Sequence, residues 1–300
     1  MKGIILAGGF GTRLYPLTKI ISKHLIPVYD KPLIYYPLSI FMISGIKDIL
    51  IISTSLDLQK YKELLGDGSQ LGISICYMIQ DAPNGLPEAF IIGEKFIGSD
   101  NVALILGDNI FYGQTLSITL RLVIAEQKGA TIFGIYDKHP ENFGVIEFDE
   151  NGKVISIVEK PTIPKSHFIV PGLYFYDNNV ISLSKQLKPS LRGELEISEL
   201  NQLYLQKGDL NVKILGRGTT WFDAGTHDSL LDAAQFIATI QNRQGLYIAC
   251  IEEIAFHSGY INAKQLECLA SGLRNTDYGK YLLSLASGEI KLKWGHNENL

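Results

Sequence analysis

The first hundred residues alternate short apolar runs with longer amphipathic segments. Four runs bounded by Gly, Asp or Asn predict buried strands, at Gly3–Leu6, Ile49–Ile52, Ser74–Met78 and Val102–Leu106. Between them, proline-start and glycine-stop signals predict three helices, from Pro32 to Gly45, over Leu58–Leu65 and over Glu88–Phe96. Strands and helices that alternate in this way are typical of βαβ units, and therefore of a parallel sheet.

The pattern changes after about residue 130, where strand candidates follow one another directly. They are Thr131–Tyr136, Val145–Phe148, Val154–Glu159 and Phe168–Tyr176. The sequence predicts helices over Val180–Leu187, Ile197–Gln206, Asp228–Asn242 and Tyr278–Leu285. We therefore expect an α/β fold with a mixed, mostly parallel central sheet that is flanked by helices.

The same pattern suggests how the chain is organised. Residues 1–243 are expected to form one catalytic domain, and residues 244–300 a small helical C-terminal extension. No internal repeat, low-complexity tract or hexapeptide array interrupts either part.

Composition narrows the class of protein. With 46% hydrophobic and 19% charged residues among 300, the chain has the make-up of a compact globular enzyme. A net charge of −4 supplies no basic field, so we expect no nucleic-acid polymer as a partner.

The cysteines and the apolar segments indicate the cellular compartment. The three cysteines are widely spaced and odd in number, which favours a reducing environment over a disulfide framework. The most apolar stretch, Leu33–Ile46, is too short for a bilayer, and the amino end lacks the apolar region of a signal peptide. We expect a cytoplasmic protein that makes no contact with a membrane.

A glycine-rich loop follows the first predicted strand. Gly8, Gly9 and Gly11, with Arg13, lie just beyond the carboxyl end of that strand, where α/β sheets bind ligands. Glycines let backbone N–H groups approach phosphate oxygens, and Arg13 adds a charged donor. The loop matches neither G-x-G-x-x-G nor the G-K-[ST] of a P-loop, and glycines alone are equally compatible with a tight turn.

Several separate motifs carry a resemblance to a known family. Residues 2–27 contain L-A-G-G-F-G-T-R-L followed by K-H-L-I-P, and this segment resembles the signature of the sugar-phosphate nucleotidyltransferases. The chain is similar in particular to the bacterial glucose-1-phosphate thymidylyltransferases. That similarity rests on the blocks Tyr29–Pro32, Leu65–Ser69, Leu106–Gly113, Val158–Pro161, Gly172–Asp177, Arg192–Ile197 and Gly225–His227.

The resemblance implies a fold, a reaction and its partners. It implies a Rossmann-like nucleotidyltransferase fold that transfers a thymidylyl group from dTTP to glucose-1-phosphate with Mg²⁺ and releases pyrophosphate. The product dTDP-glucose would feed dTDP-rhamnose or a related deoxysugar, and the enzyme would be a homotetramer. Positioning and charge neutralisation supply most of such catalysis.

The resemblance also assigns the nucleotide site. Arg13 and Lys23 would clamp the triphosphate and, with Lys160, form the catalytic set. Nucleotide contacts are expected from Leu6, Gly8, Gly9, Gly11, Thr12, Arg13, Lys23, Gln80, Pro83, Gly85 and Leu86. Gln80 and Gly85 would read thymine, because an amide offers both a donor and an acceptor to a pyrimidine edge. A loop of Pro, Asn and Gly also occurs without any such role.

The sugar and metal sites follow in the same way. Asp108 and Asp223, each at the end of an apolar run, would hold Mg²⁺. Aspartate side chains after strands more commonly cap a helix or turn. Without the family match, the pattern of Glu159 and Lys160 favours an exposed ion pair at a strand end. Sugar-phosphate contacts are expected from Asp108, Asn109, Gly144, Glu159, Lys160 and Val170.

Three features depart from the family pattern or concern regulation. Phe143 stands where the family usually has Tyr, and Phe10 replaces a small or polar residue, so its side chain should point away from the phosphates. His257 stands where family members often carry Arg. The resemblance nevertheless implies a second, regulatory nucleotide site for a dTDP-sugar, with contacts expected from Tyr112, Gly113, Arg217, Cys250 and Glu253.

Alternatives remain for the activity. A UTP-using glucose-1-phosphate uridylyltransferase would have the same scaffold, because thymine and uracil differ by one methyl group. A non-catalytic regulatory subunit is disfavoured, because Arg13, Asp108, Lys160 and Asp223 are all present. A nicotinamide dehydrogenase is disfavoured by the missing third glycine.

Overall fold

The protein is described here by a computed structural model covering residues 1–290. Within this range its strands are β1 (Lys2–Ala7), β2 (Pro27–Val28), β3 (Lys31–Pro32), β4 (Asp48–Ser53), β5 (Ser74–Ile79), β6 (Val102–Leu106), β7 (Asn109–Tyr112), β8 (Ala130–Tyr136), β9 (Gly144–Phe148), β10 (Val154–Glu159), β11 (Phe168–Ile169), β12 (Leu173–Tyr176), β13 (Leu210–Ile214) and β14 (Thr220–Asp223).

Helices fill the connections between these strands. The described α-helices are α1 (Tyr35–Ser44), α2 (Leu58–Leu65), α3 (Glu88–Ile92), α4 (Glu94–Ile97), α5 (Leu116–Glu126), α6 (Val180–Ser184), α7 (Ile197–Lys207), α8 (His227–Gln244), α9 (Ile251–His257), α10 (Ala263–Ser271) and α11 (Asp277–Ala286).

One large mixed sheet organises the molecule. Its strand order is β10-β9-β11-β8-β12-β6-β1-β4-β5, and β13 pairs with β8. Strand β1 pairs in parallel with β4 and β6, and β4 in parallel with β5. Strand β12 lies antiparallel between β6 and β8. The predicted mixed α/β fold is therefore confirmed.

The central strands are buried on both faces. Ile5, Ile49 and Ile105 belong to one apolar cluster, and their neighbours Ile4 and Leu50 to another on the opposite face. Because successive side chains of a strand point to opposite faces, strands covered on both sides read as continuous apolar runs. This explains why these strands were recognisable from sequence.

Several predicted elements have different bounds in the structure, and three of these differences have a clear local cause. Helix α1 begins at Tyr35 rather than at Pro32, because Pro32 pairs with Pro27 in the β2–β3 hairpin. The helix predicted over Glu88–Phe96 is two short helices that meet at Gly93, a residue of low helix propensity. The strand predicted over Phe168–Tyr176 is divided into β11 and β12 around Pro171, which has no N–H to donate.

A short ribbon that the sequence analysis did not predict as a pair positions the site. Strand β7 pairs antiparallel with β14, with Asp223 opposite Asn109. Both strands have only four residues, which is too short for a clear periodicity. The ribbon brings two segments together that are more than one hundred residues apart in sequence.

The C-terminal helices α9 to α11 pack on the same core as the first half of the chain. Ile254 and Leu282 share an apolar cluster with Phe41 of α1, and the Tyr260 hydroxyl donates to the Met42 carbonyl over 3.0 Å. The division at residues 243 and 244 stays a prediction, and residues 291–300 of the expected extension lie outside the described residues. Over residues 1–290 no helix combines the length and apolar character needed to cross a bilayer.

Candidate active site

A cleft of about 1060 Å³ opens at the carboxyl end of β6. All of the predicted sugar-phosphate and metal residues line it together with Arg13. The predicted residues on its wall are Arg13, Leu86, Asp108, Asn109, Gly144, Glu159, Lys160, Val170 and Asp223. The structure thus assembles in one place residues that are scattered over two hundred positions.

The glycine loop leads from β1 to Arg13, and of this segment only Arg13 lies on the cleft wall. Leu6 is buried near the end of β1, and Thr12 begins a short 3-10 turn. Gly9 and Gly11 have φ angles of 90° and 57°, in the left-handed region that favours glycine. A Cβ on Gly11 would lie 3.0 Å from the Thr18 methyl carbon, so the loop is also tightly packed. Phe10 is exposed, as predicted for a side chain that avoids the phosphates.

The two candidate metal ligands are adjacent because of the β7–β14 ribbon. The amide of Ala224, next to Asp223, donates to the Asp108 carbonyl over 2.9 Å. Burial, and then the negative charge of Asp108, raise the pKa of Asp223 to about 6. A carboxyl group whose pKa is raised by a neighbouring carboxylate indicates a site that accepts positive charge.

Lys23 supplies part of that positive charge. Its ammonium group forms a buried ion pair with the Asp108 carboxylate. Burial alone would raise the pKa of Asp108, but the opposing charge of Lys23 and the hydrogen bonds to the carboxylate outweigh it, so the pKa of Asp108 lies below its usual range. Asp108 therefore remains ionised at neutral pH.

A buried polar cluster supports the turn that carries Lys23. The His24 ring nitrogen Nδ1 lies 3.2 Å from the Tyr61 hydroxyl and 3.3 Å from the Ser22 hydroxyl, which are themselves 2.7 Å apart. A Cβ on Gly107 would lie 2.6 Å from His24 Cδ2, so His24 packs directly beneath the residue before Asp108. Burial, and then the charge of Lys23, lower the pKa of His24 to about 3.

Arg13 supplies a second positive charge, close to Asp223. Its Nη2 atom lies 3.8 Å from Asp223 Oδ2, and 62% of its side chain remains exposed. Gly225 leaves room for it, since a Cβ there would lie 2.4 Å from Nη2. Arg13 can therefore bind an anion in the cleft without breaking a buried contact.

The donor set at Asp108 and Asp223 fits a hard divalent cation. Among residues 1–290, no group of three or more His, Cys, Asp and Glu side chains forms a metal cage. Mg²⁺ is usually held by one or two carboxylates together with water and substrate phosphates, so two carboxylates beside a phosphate loop match it.

The predicted sugar residues converge at the other end of the cleft. Gly144 lies opposite Glu159 in the β9–β10 pair, and a Cβ on Gly144 would be 3.2 Å from Glu159 Oε2. The Val170 amide donates to the Gly144 carbonyl over 2.8 Å. Lys160 has a φ angle of 44°, and its amide donates to the Phe143 carbonyl over 2.9 Å. This strained backbone turns the chain sharply beside Glu159, whose pKa burial raises.

Asn109 is held by partners that the sequence analysis did not identify. Its Oδ1 atom accepts from Trp221 Nε1 over 2.6 Å and from the Gly172 amide over 3.0 Å. Its Nδ2 atom donates to Asp108 Oδ1 over 3.1 Å. Trp221 also packs edge-on against Phe143, with ring centroids 5.1 Å apart. An apolar run ending in Asp223 was visible in the sequence, but nothing in it marked the Trp221 hydrogen bond.

The segment before and within α7 also contributes side chains to the cleft, and the sequence did not identify them as site residues. Arg192 and Glu196 form an ion pair at 2.6 Å, and both line the cleft with Ser198 and Asn201. The block Arg192–Ile197 carried part of the family resemblance, and this was the available signal.

The predicted base-reading loop is fixed to the segment before α7. Gly85 has a φ angle of 106°, and a Cβ there would lie 2.1 Å from the Leu195 carbonyl oxygen. The Gln80 amide nitrogen donates to Glu88 over 2.7 Å, while a Cβ on Gly8 would lie 3.1 Å from its Oε1 atom. Gln80 therefore lies beside the glycine loop, as a base-reading role requires, whereas Pro83 is exposed.

A second cavity of about 750 Å³ lies between α1, α5 and α9. Tyr112, Gly113 and Glu253, three of the predicted regulatory residues, line it together with His257. Arg217 and Cys250 are not on its wall, because Arg217 is exposed elsewhere and Cys250 is buried in the core.

Comparisons with known proteins agree with this arrangement. The family model described as nucleotidyl transferase matches residues 2–240. A glucose-1-phosphate thymidylyltransferase from Neisseria meningitidis is 59% identical over 95% of this chain and 99% of its own length. The enzyme of that name from Mycolicibacterium smegmatis is 54% identical over 96% of this chain and all of its own length.

Solved structures share the fold. A Bacillus anthracis chain described as a glucose-1-phosphate thymidylyltransferase, in complex with a sucrose, has a TM-score of 0.73 and 42% identity over 79% of this chain and 94% of its own. A UDP-glucose pyrophosphorylase with a TM-score of 0.70 is only 22% identical over 80% of this chain and 98% of its own, and shows the fold alone. The chain belongs to the nucleotidyl transferase family, within the group of the glucose-1-phosphate thymidylyltransferases.

Proposed function

We propose that the protein transfers a thymidylyl group from dTTP to α-D-glucose-1-phosphate and forms dTDP-glucose and pyrophosphate. The observation that carries this proposal is the convergence of Asp108, Asp223 and Arg13 on one cleft that also holds Glu159 and Lys160. Lys23 pairs with Asp108 from behind the cleft wall. The relatives at 46–59% identity that bear the thymidylyltransferase name support the same reaction.

In this reaction a phosphate oxygen of the sugar phosphate attacks the α-phosphorus of the nucleotide in line with the departing pyrophosphate. Arg13 and the amides of the glycine loop bind the triphosphate, while Lys160 binds the sugar phosphate next to Glu159. These cations reduce the repulsion between the two anions and hold them in line. Lys23, paired with Asp108, adds positive charge where the nucleotide approaches.

A divalent cation, which we propose to be Mg²⁺, would be held by Asp108 and Asp223. When bound, it would supply positive charge that stabilises the negative charge on the leaving pyrophosphate. The raised pKa of Asp223 supports this assignment, because a cation between the carboxylates offsets their mutual repulsion.

Pyrophosphate release from the purified full chain tests the reaction. We would compare dTTP, UTP, ATP, CTP and GTP with glucose-1-phosphate and Mg²⁺, with Asp108→Asn as the control. We expect dTTP to support turnover several-fold better than the other nucleotides, and the control to be inactive. Preference for UTP would refute the base assignment around Gln80 but keep the reaction class, and no turnover with any nucleotide would favour a regulatory subunit.

The second cavity is proposed as the regulatory site for a dTDP-sugar. It lies away from the cleft and is lined by both apolar and polar groups, among them Tyr112 and Glu253. We also propose that the enzyme is a cytoplasmic homotetramer with a catalytic part at residues 1–243 and a C-terminal extension beyond it. Lack of inhibition by dTDP-rhamnose at saturating concentration would remove the regulatory proposal, and light scattering would measure the subunit number.

A further inference from the structure

One side chain on the wall of the cleft has a hydrogen-bonding group that the protein does not satisfy. Asn201, on α7, is 1% exposed and lines the cleft. Its Oδ1 atom accepts from the Tyr176 hydroxyl over 2.6 Å. Its Nδ2 atom is buried and has no hydrogen-bond partner within residues 1–290. Because buried polar groups are nearly always paired, this donor calls for a partner beyond residues 1–290.

In the structure the Asn201 amide presents its oxygen to Tyr176. The hydroxyl of Tyr176, a fully buried residue, donates to Oδ1 of Asn201. The N–H groups of Asn201 are thereby turned away from Tyr176. Since an amide nitrogen only donates, its partner must be an acceptor such as a hydroxyl oxygen.

The position of Asn201 relates it to the sugar end of the cleft. Ser198 lies one helical turn earlier on the same face of α7, and its side chain lies close enough to Glu159, the predicted sugar residue, to oppose the rise that burial causes in the pKa of that carboxyl. The cleft wall that Asn201 shares carries apolar side chains, such as Leu86 and Ile157, beside polar ones such as Glu159. A few placed polar groups among apolar side chains are what orients a polar ligand in a pocket.

We propose that the Asn201 amide donates a hydrogen bond to one hydroxyl group of the bound sugar and makes the enzyme selective for sugars that carry it. This inference rests on the proposed function, in which a sugar 1-phosphate occupies the cleft. A site that hydrogen-bonds a substrate hydroxyl discriminates strongly against an analogue that lacks it, because the protein donor is then left unpaired.

The test uses the full chain, dTTP and a set of sugar phosphates: glucose-1-phosphate and its 2-, 3-, 4- and 6-deoxy analogues. We expect the wild type to use one analogue about tenfold or more less efficiently, measured as kcat/KM, because of the unpaired donor. In Asn201→Leu, the ratio of kcat/KM for glucose-1-phosphate to kcat/KM for that one analogue should fall towards one. The corresponding ratios for the other analogues should stay the same.

Two further variants separate recognition from loss of structure. Asn201→Asp keeps the size and the acceptor for Tyr176 but removes the donor, so it should lose the same discrimination. Gln202→Met is the matched control, because Gln202 accepts from the Ile157 amide over 3.3 Å without lining the cleft. It should leave all the ratios unchanged. If a variant has no measurable activity, calorimetry gives its affinity for each sugar phosphate, and the ratios of these affinities replace the ratios of kcat/KM.

The outcomes are distinct. Unchanged ratios in both Asn201 variants, with an active wild type, would overturn the role of Asn201 and leave the proposed function standing. An equal fall with every sugar would likewise overturn it, since that is the effect of a structural residue. A wild type that neither binds nor uses any of these sugar phosphates would overturn the proposed function and this inference together.

Discussion

The ammonium group of Lys23 forms a buried ion pair with the carboxylate of Asp108, across 85 positions of sequence. The pair joins the 3-10 turn Lys23–Leu25 to the turn between β6 and β7. A buried charge that loses its partner is strongly destabilising, whereas removal of both partners costs much less. Loss of the pair should therefore lower both the free energy of unfolding and the catalytic activity.

A double-mutant cycle measures this coupling. Lys23→Met should lower the free energy of unfolding by about 3 kcal/mol, because Asp108 is left buried without its counter-ion. The double variant Lys23→Met/Asp108→Asn should lose less than the two single changes added together, by about 1 kcal/mol or more. Chemical denaturation of the four proteins gives these values, and strict additivity would contradict the coupling.

The partly exposed pair of Lys60 and Asp57, 3.0 Å apart, provides the matched control. The same cycle on Lys60→Met and Asp57→Asn should give a coupling below about 1 kcal/mol, because water screens the charges. Pyrophosphate release should fall about a hundredfold or more in Lys23→Met and be unaffected in Lys60→Met.

Asp223→Asn is expected to stabilise the metal-free protein while it abolishes activity. The pKa of Asp223 is raised to about 6, above its ordinary value of 3.8, so its ionised form is disfavoured by folding. Above pH 6 the variant should be more stable than the wild type by about 2 kcal/mol. The difference should shrink as the pH falls from 6 towards 4 and vanish below that.

Thermal or chemical unfolding from pH 4 to pH 8 in the presence of a chelator measures this difference. Asp232→Asn, which changes an exposed carboxylate on the same cleft, should alter stability by less than about 0.5 kcal/mol at every pH. A wild type that is more stable than Asp223→Asn at pH 8 would contradict the prediction.

His24→Gln should make the protein less sensitive to acid. The pKa of His24 is lowered to about 3 from its ordinary 6.5, so below pH 6.5 the unfolded chain takes up a proton that the folded chain does not. The wild type should lose about 1.4 kcal/mol of stability per pH unit from this group between pH 6 and pH 4. Gln can bond to Tyr61 without titrating, so the variant should lack this contribution.

Denaturant titrations at pH 7 and pH 4 give the comparison. The stability lost between these values should be smaller in His24→Gln than in the wild type by about 3 kcal/mol. His139→Gln, at an exposed position, is the control and should behave as the wild type does. Equal losses in all three proteins would show that His24 is not a buried neutral group.

Trp221→Phe should weaken sugar-phosphate binding in particular. The substitution keeps an aromatic ring against Phe143 but removes the Nε1 donor that holds Asn109. We expect the KM for glucose-1-phosphate to rise about tenfold, which corresponds to the loss of one buried hydrogen bond, and the KM for dTTP to stay within about a factor of two. Steady-state kinetics with each substrate varied in turn decide this, and an equal rise in both KM values would contradict it.

The sequence by itself determined the α/β class, the central strands and the loop after β1. Strands such as β1 and β6 are covered on both faces and so consist of continuous apolar residues, which makes them visible without any structure. Helix α2 and strand β10 have the predicted bounds because their periodicity is local. Motif blocks in the right order also indicated the family, since each block depends only on neighbouring residues.

Only the tertiary structure decided how the site is assembled. The register of β7 and β14 places Asp223 opposite Asn109, and four-residue strands carry too little periodicity to predict such a pairing. The roles of Trp221, His24 and Asn201 depend on partners far away in sequence. Burial and charge at Asp108 and Asp223 arise only when the ribbon and the Lys23 turn meet, because a pKa depends on distance in space rather than on distance along the chain.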